Sequence, residues 1–200
     1  MSGPGSEVIP HAIALRDYVS KKTGLEIGLW SIGFGAPVGT MIYAVRVDGL
    51  AGVNALGAQL IGDTAYEALL AKGAAWVVGA AEDSLRESLN DEMNTMPPVG
   101  SVVTVTTAVI AAGMYAKAIG WGIEIAEHVL KVTGMPVSFQ MEMFGTFGQV
   151  AWIGVAANSA DADAMNAKIN ADAGYMDKLG ATAGLFVDGM SHRMLGVRVA

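Results

Sequence analysis

Ser138, Gln140 and Glu142 alternate along the chain with Val137, Phe139, Met141 and Met143. In an extended strand residues two apart share a face. A hydroxyl, an amide and a carboxylate therefore line one side and oily side chains the other. A carboxylate shut away from water gains a raised pKa and can work as a general base. Glu142 is then the base, Gln140 and Ser138 are hydrogen-bond donors, and Trp30, Tyr43, Trp152 and Met141 are walls of an apolar pocket. The plain alternative is that the polar row is the wet side of an antiparallel sheet.

His128 lies between Glu124 and Glu127 in a helical stretch, where it could move a proton or hold haem or a metal. A single histidine on a helix is more often a surface or packing residue. Neither HxH nor HxxxH occurs, so no metal site is expected. Gly33-Phe34-Gly35-Ala36-Pro37-Val38-Gly39 has the glycines of a phosphate loop, but a β-rich segment follows it instead of a helix, which makes it a hairpin turn. Ser191-His192-Arg193 reads as a strand-end charge pair. Asp161, Asp163 and Asp172 lack EF-hand spacing, and the absence of Gly-x-Ser-x-Gly leaves hydrolase chemistry without support. The twelve methionines suit core filling, or the lining of an adaptable apolar pocket.

The elements that position these residues repeat. Shifting the sequence by 110 residues lays Ala12–Gly24 over Gly122–Gly134 without a gap, with Lys21 on Lys131, Thr23 on Thr133 and Gly24 on Gly134. Phe34-Gly35 then meets Phe144-Gly145, and Val45, Leu69, Val77, Gly79 and Leu85 meet Val155, Leu179, Val187, Gly189 and Leu195. Duplication explains this best. The second copy reads as a strand (Val102–Val109), a helix (Met114–Val132, stopped by Thr133-Gly134), a hairpin (Val137–Phe144 with Val150–Ala156), a helix from an Asn158 cap to about Leu179, and a strand (His192–Val199). The first copy supplies a helix (Val8–Lys22), a hairpin (Glu26–Val47) and a helix (Gly52–Lys72). Nothing before its first helix looks like a strand, and Glu82–Asn90 carries leucines at a helical separation. The expected organisation is a flexible leader 1–7, repeat one over 8–93, a linker 94–100 and repeat two over 101–200.

Two consecutive β-α-β-β-α-β units resemble the dimeric α+β barrel superfamily in its fused form, over residues 8–200. The resemblance implies an α+β fold in which two ferredoxin-like repeats pack sheet to sheet with helices outside. It also implies a choice among cofactor-free monooxygenases, muconolactone-type isomerases, haem enzymes of the chlorite dismutase type and proteins without known activity. The missing first strand departs from the pattern.

Composition narrows the choice. Hydrophobic residues make up 52 % and charged residues 16 % of the 200, ample for a buried core and far from a disordered chain. A net charge of −7 disfavours nucleic acid as a partner. The absence of cysteine removes disulfides, thiolate zinc sites and cysteine nucleophiles. Val102–Ile125 is interrupted by Thr104, Thr106, Thr107, Lys117 and Glu124, unlike a membrane span, and no secretory signal is visible. The expectation is a cytoplasmic protein, a homo-oligomer, that binds a small apolar or aromatic molecule. It is read as a cofactor-free oxygenase, isomerase or cyclase; the rivals are a non-catalytic binding or assembly protein and, third, a haem protein.

Overall fold

The computed structural model describes residues 5–90, 93 and 95–200. Residues 1–4 of the expected leader and Asn94 of the expected linker lie outside the described residues. The chain divides into two compact units. One ends at Glu82 and takes in Arg198–Ala200, and the other runs from Asp83 to Val197. Among the described residues no helix is long and apolar enough to cross a membrane.

The first unit opens with α1 (Gly5–Thr23), which already includes residues 5–7 of the expected leader and runs through Pro10. It continues with β1 (Ile27–Phe34), β2 (Met41–Val45), α2 (Gly49–Leu60), α3 (Thr64–Gly73) and a 3-10 turn at Ala74–Trp76. β1 and β2 form an antiparallel hairpin that places Leu29 opposite Tyr43 and Trp30 opposite Ile42. Leu29, fully buried, packs with Ala12 of α1 and with Ala200. The Leu29 N–H donates to Ala200 O at 2.8 Å, and the Val199 N–H donates to Leu29 O at 2.8 Å. The end of the chain thus lies along β1 in strand fashion.

The expected single helix Gly52–Lys72 is two helices. Gly62 adopts φ +74°, a conformation open to glycine without a Cβ clash. Asp63 then starts α3 by accepting from the Ala65 and Tyr66 N–H groups, a helix cap competing successfully with helix continuation. The same happens in the second unit, where α5 (Ser159–Asn170) ends and Asp172 caps α6 (Ala173–Gly180) through the Tyr175 N–H. Asn158 caps α5 as expected, accepting from the Asp161 N–H.

The second unit holds β3 (Leu85–Ser88), β4 (Val102–Val109), α4 (Tyr115–Thr133), β5 (Val137–Phe144), β6 (Gln149–Ala156), α5, α6 and all of β7 (His192–Arg198) but its last residue. Its strands lie in the order β7-β4-β6-β5-β3, every neighbouring pair antiparallel. The first four of these give the ferredoxin-like order, and β3 is added outside β5. This overturns the helical reading of Glu82–Asn90: the leucine spacing is accidental, and after an irregularity between Leu85 and Arg86 the ladder uses the alternation of Arg86 and Ser88 with Glu87 and Leu89. Asn90 extends that ladder with its side chain. Its Oδ1 accepts from the Phe139 N–H at 2.8 Å, and its Nδ2 donates to Val137 O at 2.9 Å.

The core of the second unit lies between this sheet and α4. Phe139, fully buried, meets Gly122 of α4 so closely that a Cβ there would sit 2.3 Å from its ring. Trp152 stacks on Phe139 with ring centroids 4.9 Å apart, and its indole N–H donates to Gly122 O at 2.9 Å. A smaller cluster of Val102, Ala156 and Ala162 tucks α5 against the sheet beside β4.

Candidate functional site

The pleat of β5 sorts the expected site residues. Phe139 points to α4, so Ser138, Gln140 and Glu142 point away from the helices. Register carries the same sorting across the sheet. Arg86 and Ser88 of β3 lie opposite Glu142 and Gln140, and Ile153 and Ala151 of β6 lie opposite Ser138 and Gln140. Val105 and Thr107 of β4 follow, then Met194 and His192 of β7. The helix-free face thus has a polar end on β5 and β3 and an apolar middle, where Val105 and Ala151 are buried.

At the polar end Glu142 is almost enclosed, its side chain 5 % exposed. Arg86 Nε donates to Glu142 Oε2 at 2.9 Å, and the Ser84 hydroxyl donates to the same carboxylate at 2.9 Å. Two residues along, Ser138 is fully buried. Its Oγ accepts from Gln140 Nε2 at 3.0 Å and lies 3.5 Å from Ser88 Oγ. Glu142 is therefore a carboxylate already held by a guanidinium and a hydroxyl, in place of the unpaired base that the sequence suggested. Arg86, Ser84 and Ser88 were missed because Glu82–Asn90 was read with a helical period; reading it with a period of two would have placed Arg86 and Ser88 on one face.

Met141 and Trp152 are corrected. Both pack into the core with α4, on the face opposite to Glu142, so neither forms a wall with it. Trp30 and Tyr43 belong to the first unit and are likewise split by a pleat. Tyr43 shares the face of Leu29 and its hydroxyl donates to Ala12 O of α1 at 3.2 Å. Burial, with Tyr66 nearby, pushes that hydroxyl's pKa up to about 12. Trp30 faces away from α1 and is buried at 6 % exposure.

His128 sits on α4 with Nε2 2.7 Å from Asp172 Oδ1. That bond ties α4 to the start of α6, and it holds the Asp172 carboxyl below its ordinary range, helped by the Tyr175 N–H. The ring nitrogen that would ligate haem is the one engaged here. Among the described residues no group of three His, Asp or Glu side chains could hold a metal ion.

No family profile and no curated protein matches the chain. Solved structures do. A candidate monooxygenase from Fusobacterium nucleatum superposes over 99 % of this chain and 88 % of its own, with TM-score 0.69 and 12 % identity. An anthrone oxidase-like protein covers 100 % and 88 % with TM-score 0.64 and 11 % identity. A candidate monooxygenase from Lactobacillus acidophilus covers 96 % and 86 % with TM-score 0.60 and 15 % identity. The chain shares the α+β fold of these neighbours, which are dimeric α+β barrel proteins. Identities this low carry the fold and nothing about chemistry.

Proposed function

We propose that this α+β barrel protein binds a small, largely apolar aromatic molecule against the helix-free face of its second unit, and that it works without a cofactor. The observation that carries the reading is the polar end of that face. Arg86, Gln140, Ser138 and Glu142 sit side by side on β3 and β5, next to the apolar Ala151, Ile153 and Val105. An aromatic ring would rest on the apolar middle. Its carbonyl or phenolic oxygen would meet the amide of Gln140 and the Nη groups of Arg86, whose Nε is committed to Glu142.

Such a molecule has a proton worth removing. When a C–H is flanked by aromatic rings and conjugated to a carbonyl, its removal leaves an anion spread onto the oxygen, where Arg86 would stabilise it. Glu142 would take the proton, giving up its hold on Arg86 as the guanidinium turns to the new oxyanion. With dioxygen as oxidant, the carbon gains one oxygen atom and the other leaves as water, so an anthrone becomes an anthraquinone. Two neighbours of this fold described as candidate monooxygenases, and a third described as anthrone oxidase-like, favour this class over isomerase or cyclase chemistry. A second reading has its own support: the closed Arg86–Glu142 pair suits a binding protein that performs no reaction.

Anthrone in aerated buffer is the probe. We expect anthraquinone to form faster than in buffer alone, and Glu142→Gln to lower the rate about a hundredfold while anthrone binding, followed by native mass spectrometry, persists. Binding without turnover by the wild-type chain would select the non-catalytic reading. Neither binding nor turnover would overturn the aromatic-ligand reading.

A further inference from the structure

Alternation along β4 turns Val103, Val105, Thr107 and Val109 toward the helix-free face of the second unit. Thr104, Thr106 and Ala108 take the other face, where Thr106 stands opposite the core residue Trp152. Threonine and valine share one branched outline, so in that valine row Thr107 adds a hydroxyl and nothing else. The residue is 9 % exposed, and its hydroxyl makes no hydrogen bond among the described residues. Thr133 and Ser138 are buried to a similar degree, and both hydroxyls are engaged: Thr133 Oγ1 donates to Val129 O, and Ser138 Oγ accepts from Gln140 Nε2. A hydroxyl shut away from water without a partner costs free energy. Valine at this position would avoid that cost.

Register shows what the hydroxyl stands beside. Thr107 lies opposite Ala151 of β6, and Ala151 lies opposite Gln140 of β5. Thr107 and Gln140 are therefore two strand spacings apart, about 10 Å, with the methyl group of Ala151 as the floor between them. A flat ring system laid across that floor, its oxygen at the Gln140 and Arg86 end, brings its far edge to Thr107.

We propose that the Thr107 hydroxyl is a second anchor for the ligand. It selects aromatic molecules that carry a hydroxyl or carbonyl on the edge remote from the oxygen held by Gln140 and Arg86. This rests on the reading of the helix-free face as an aromatic-binding surface, and it adds the specificity of that face. A threonine hydroxyl both donates and accepts, so it answers a phenol or a carbonyl equally. A bare ring edge leaves it unpaired, and that penalty is what discriminates between ligands.

The test uses 2-hydroxyanthraquinone and 2-methylanthraquinone, which exchange a hydroxyl for a methyl group on an edge remote from the carbonyls. Both are titrated into the full chain, with binding read by tryptophan fluorescence. The wild-type chain should bind the hydroxyl compound about tenfold more tightly. Thr107→Val should bring the ratio to one or below with its thermal midpoint unchanged or raised, and Thr107→Ser should keep the preference. Equal wild-type affinities, or a preference that survives in Thr107→Val, would overturn the role of Thr107 and leave the aromatic-binding reading standing. A clear loss of stability in Thr107→Val would assign the hydroxyl to the fold and overturn it too. If neither compound binds the wild-type chain, both readings fall.

Discussion

The two units make the same joints with different atoms. In each, the last residue of the first helix returns a threonine hydroxyl to the backbone, Thr23 to Val19 O and Thr133 to Val129 O, and the same oxygen accepts the N–H two residues on. In each, an aromatic N–H or O–H from the second hairpin strand reaches the first helix: Tyr43 to Ala12 O, Trp152 to Gly122 O. In each, a ring on that helix binds the aspartate that caps the last helix, Tyr18 to Asp63 and His128 to Asp172. The bond and the kind of acceptor persist while the donor changes from phenol to indole or imidazole. Position in the fold sets the joint, and side-chain identity adapts to the space. Where the first unit has Leu29 under Ala12, the second has Phe139 under Gly122, a larger ring admitted by a missing Cβ.

The sharpest contrast lies on the helix-free faces, where Gly28, Trp30 and Ile32 in one unit stand in the place of Ser138, Gln140 and Glu142 in the other. If the first face is structural and the second a binding surface, truncation should treat them unequally. Trp30→Ala should cost about 4 kcal/mol, the usual penalty for emptying a buried tryptophan site. Gln140→Ala, which loses one hydrogen bond to Ser138, should cost about 1 kcal/mol. Urea unfolding midpoints followed by circular dichroism measure both, and equal costs would break the contrast.

The exchange of Ala12–Leu29 for Gly122–Phe139 predicts a coupling. Gly122→Ala drives a methyl group into the Phe139 ring, from which no backbone shift in α4 offers easy relief, and should cost about 2 kcal/mol as an overpacked core. Adding Phe139→Leu restores the first unit's combination, so the double variant should regain most of the loss that the methyl group causes. Ala12→Gly opens no clash and should cost only about 1 kcal/mol, the price of helix propensity. A strictly additive double variant would show that the two sites do not trade volume in this way.

Much of this was legible beforehand because the local signals were strong. The hairpin Val137–Ala156, the helix stop at Thr133-Gly134 and the Asn158 cap each rest on a few adjacent residues. The shift of 110 places α1 on α4, β1 on β5 and α2 on α5 to the residue. It fails in the hairpins, where Leu29 opposes Tyr43 but Phe139 opposes Trp152, one residue short of the shift. A one-residue change of register moves side chains to the other face, so the shift alone cannot say which face Trp152 takes. For Arg86 a period of two would have given the face but not the partner. Its partner is 56 residues away, and no local period carries such a pairing.

The smallest expected effect separates the two aspartate joints by acid titration. Lys22 is the leading influence on Asp63, ahead of the Tyr66 N–H and the Tyr18 hydroxyl, and together they hold its carboxyl well below the ordinary range. His128 leads for Asp172. A carboxyl depressed by folding stabilises the native state fully above its unfolded value, near about 3.9, and the benefit disappears as pH falls through the folded value. Both joints should therefore weaken only below about pH 4, with Asp63 holding its charge to lower pH. Carboxyl carbon shifts followed by NMR resolve the two. His128→Ala should carry Asp172 back toward the ordinary value and leave Asp63 in place, while Lys22→Met should do the reverse. A variant that moved both carboxyls together would mean that the joints titrate as one network, and the equivalence drawn between the units would then be one of geometry without independent electrostatics.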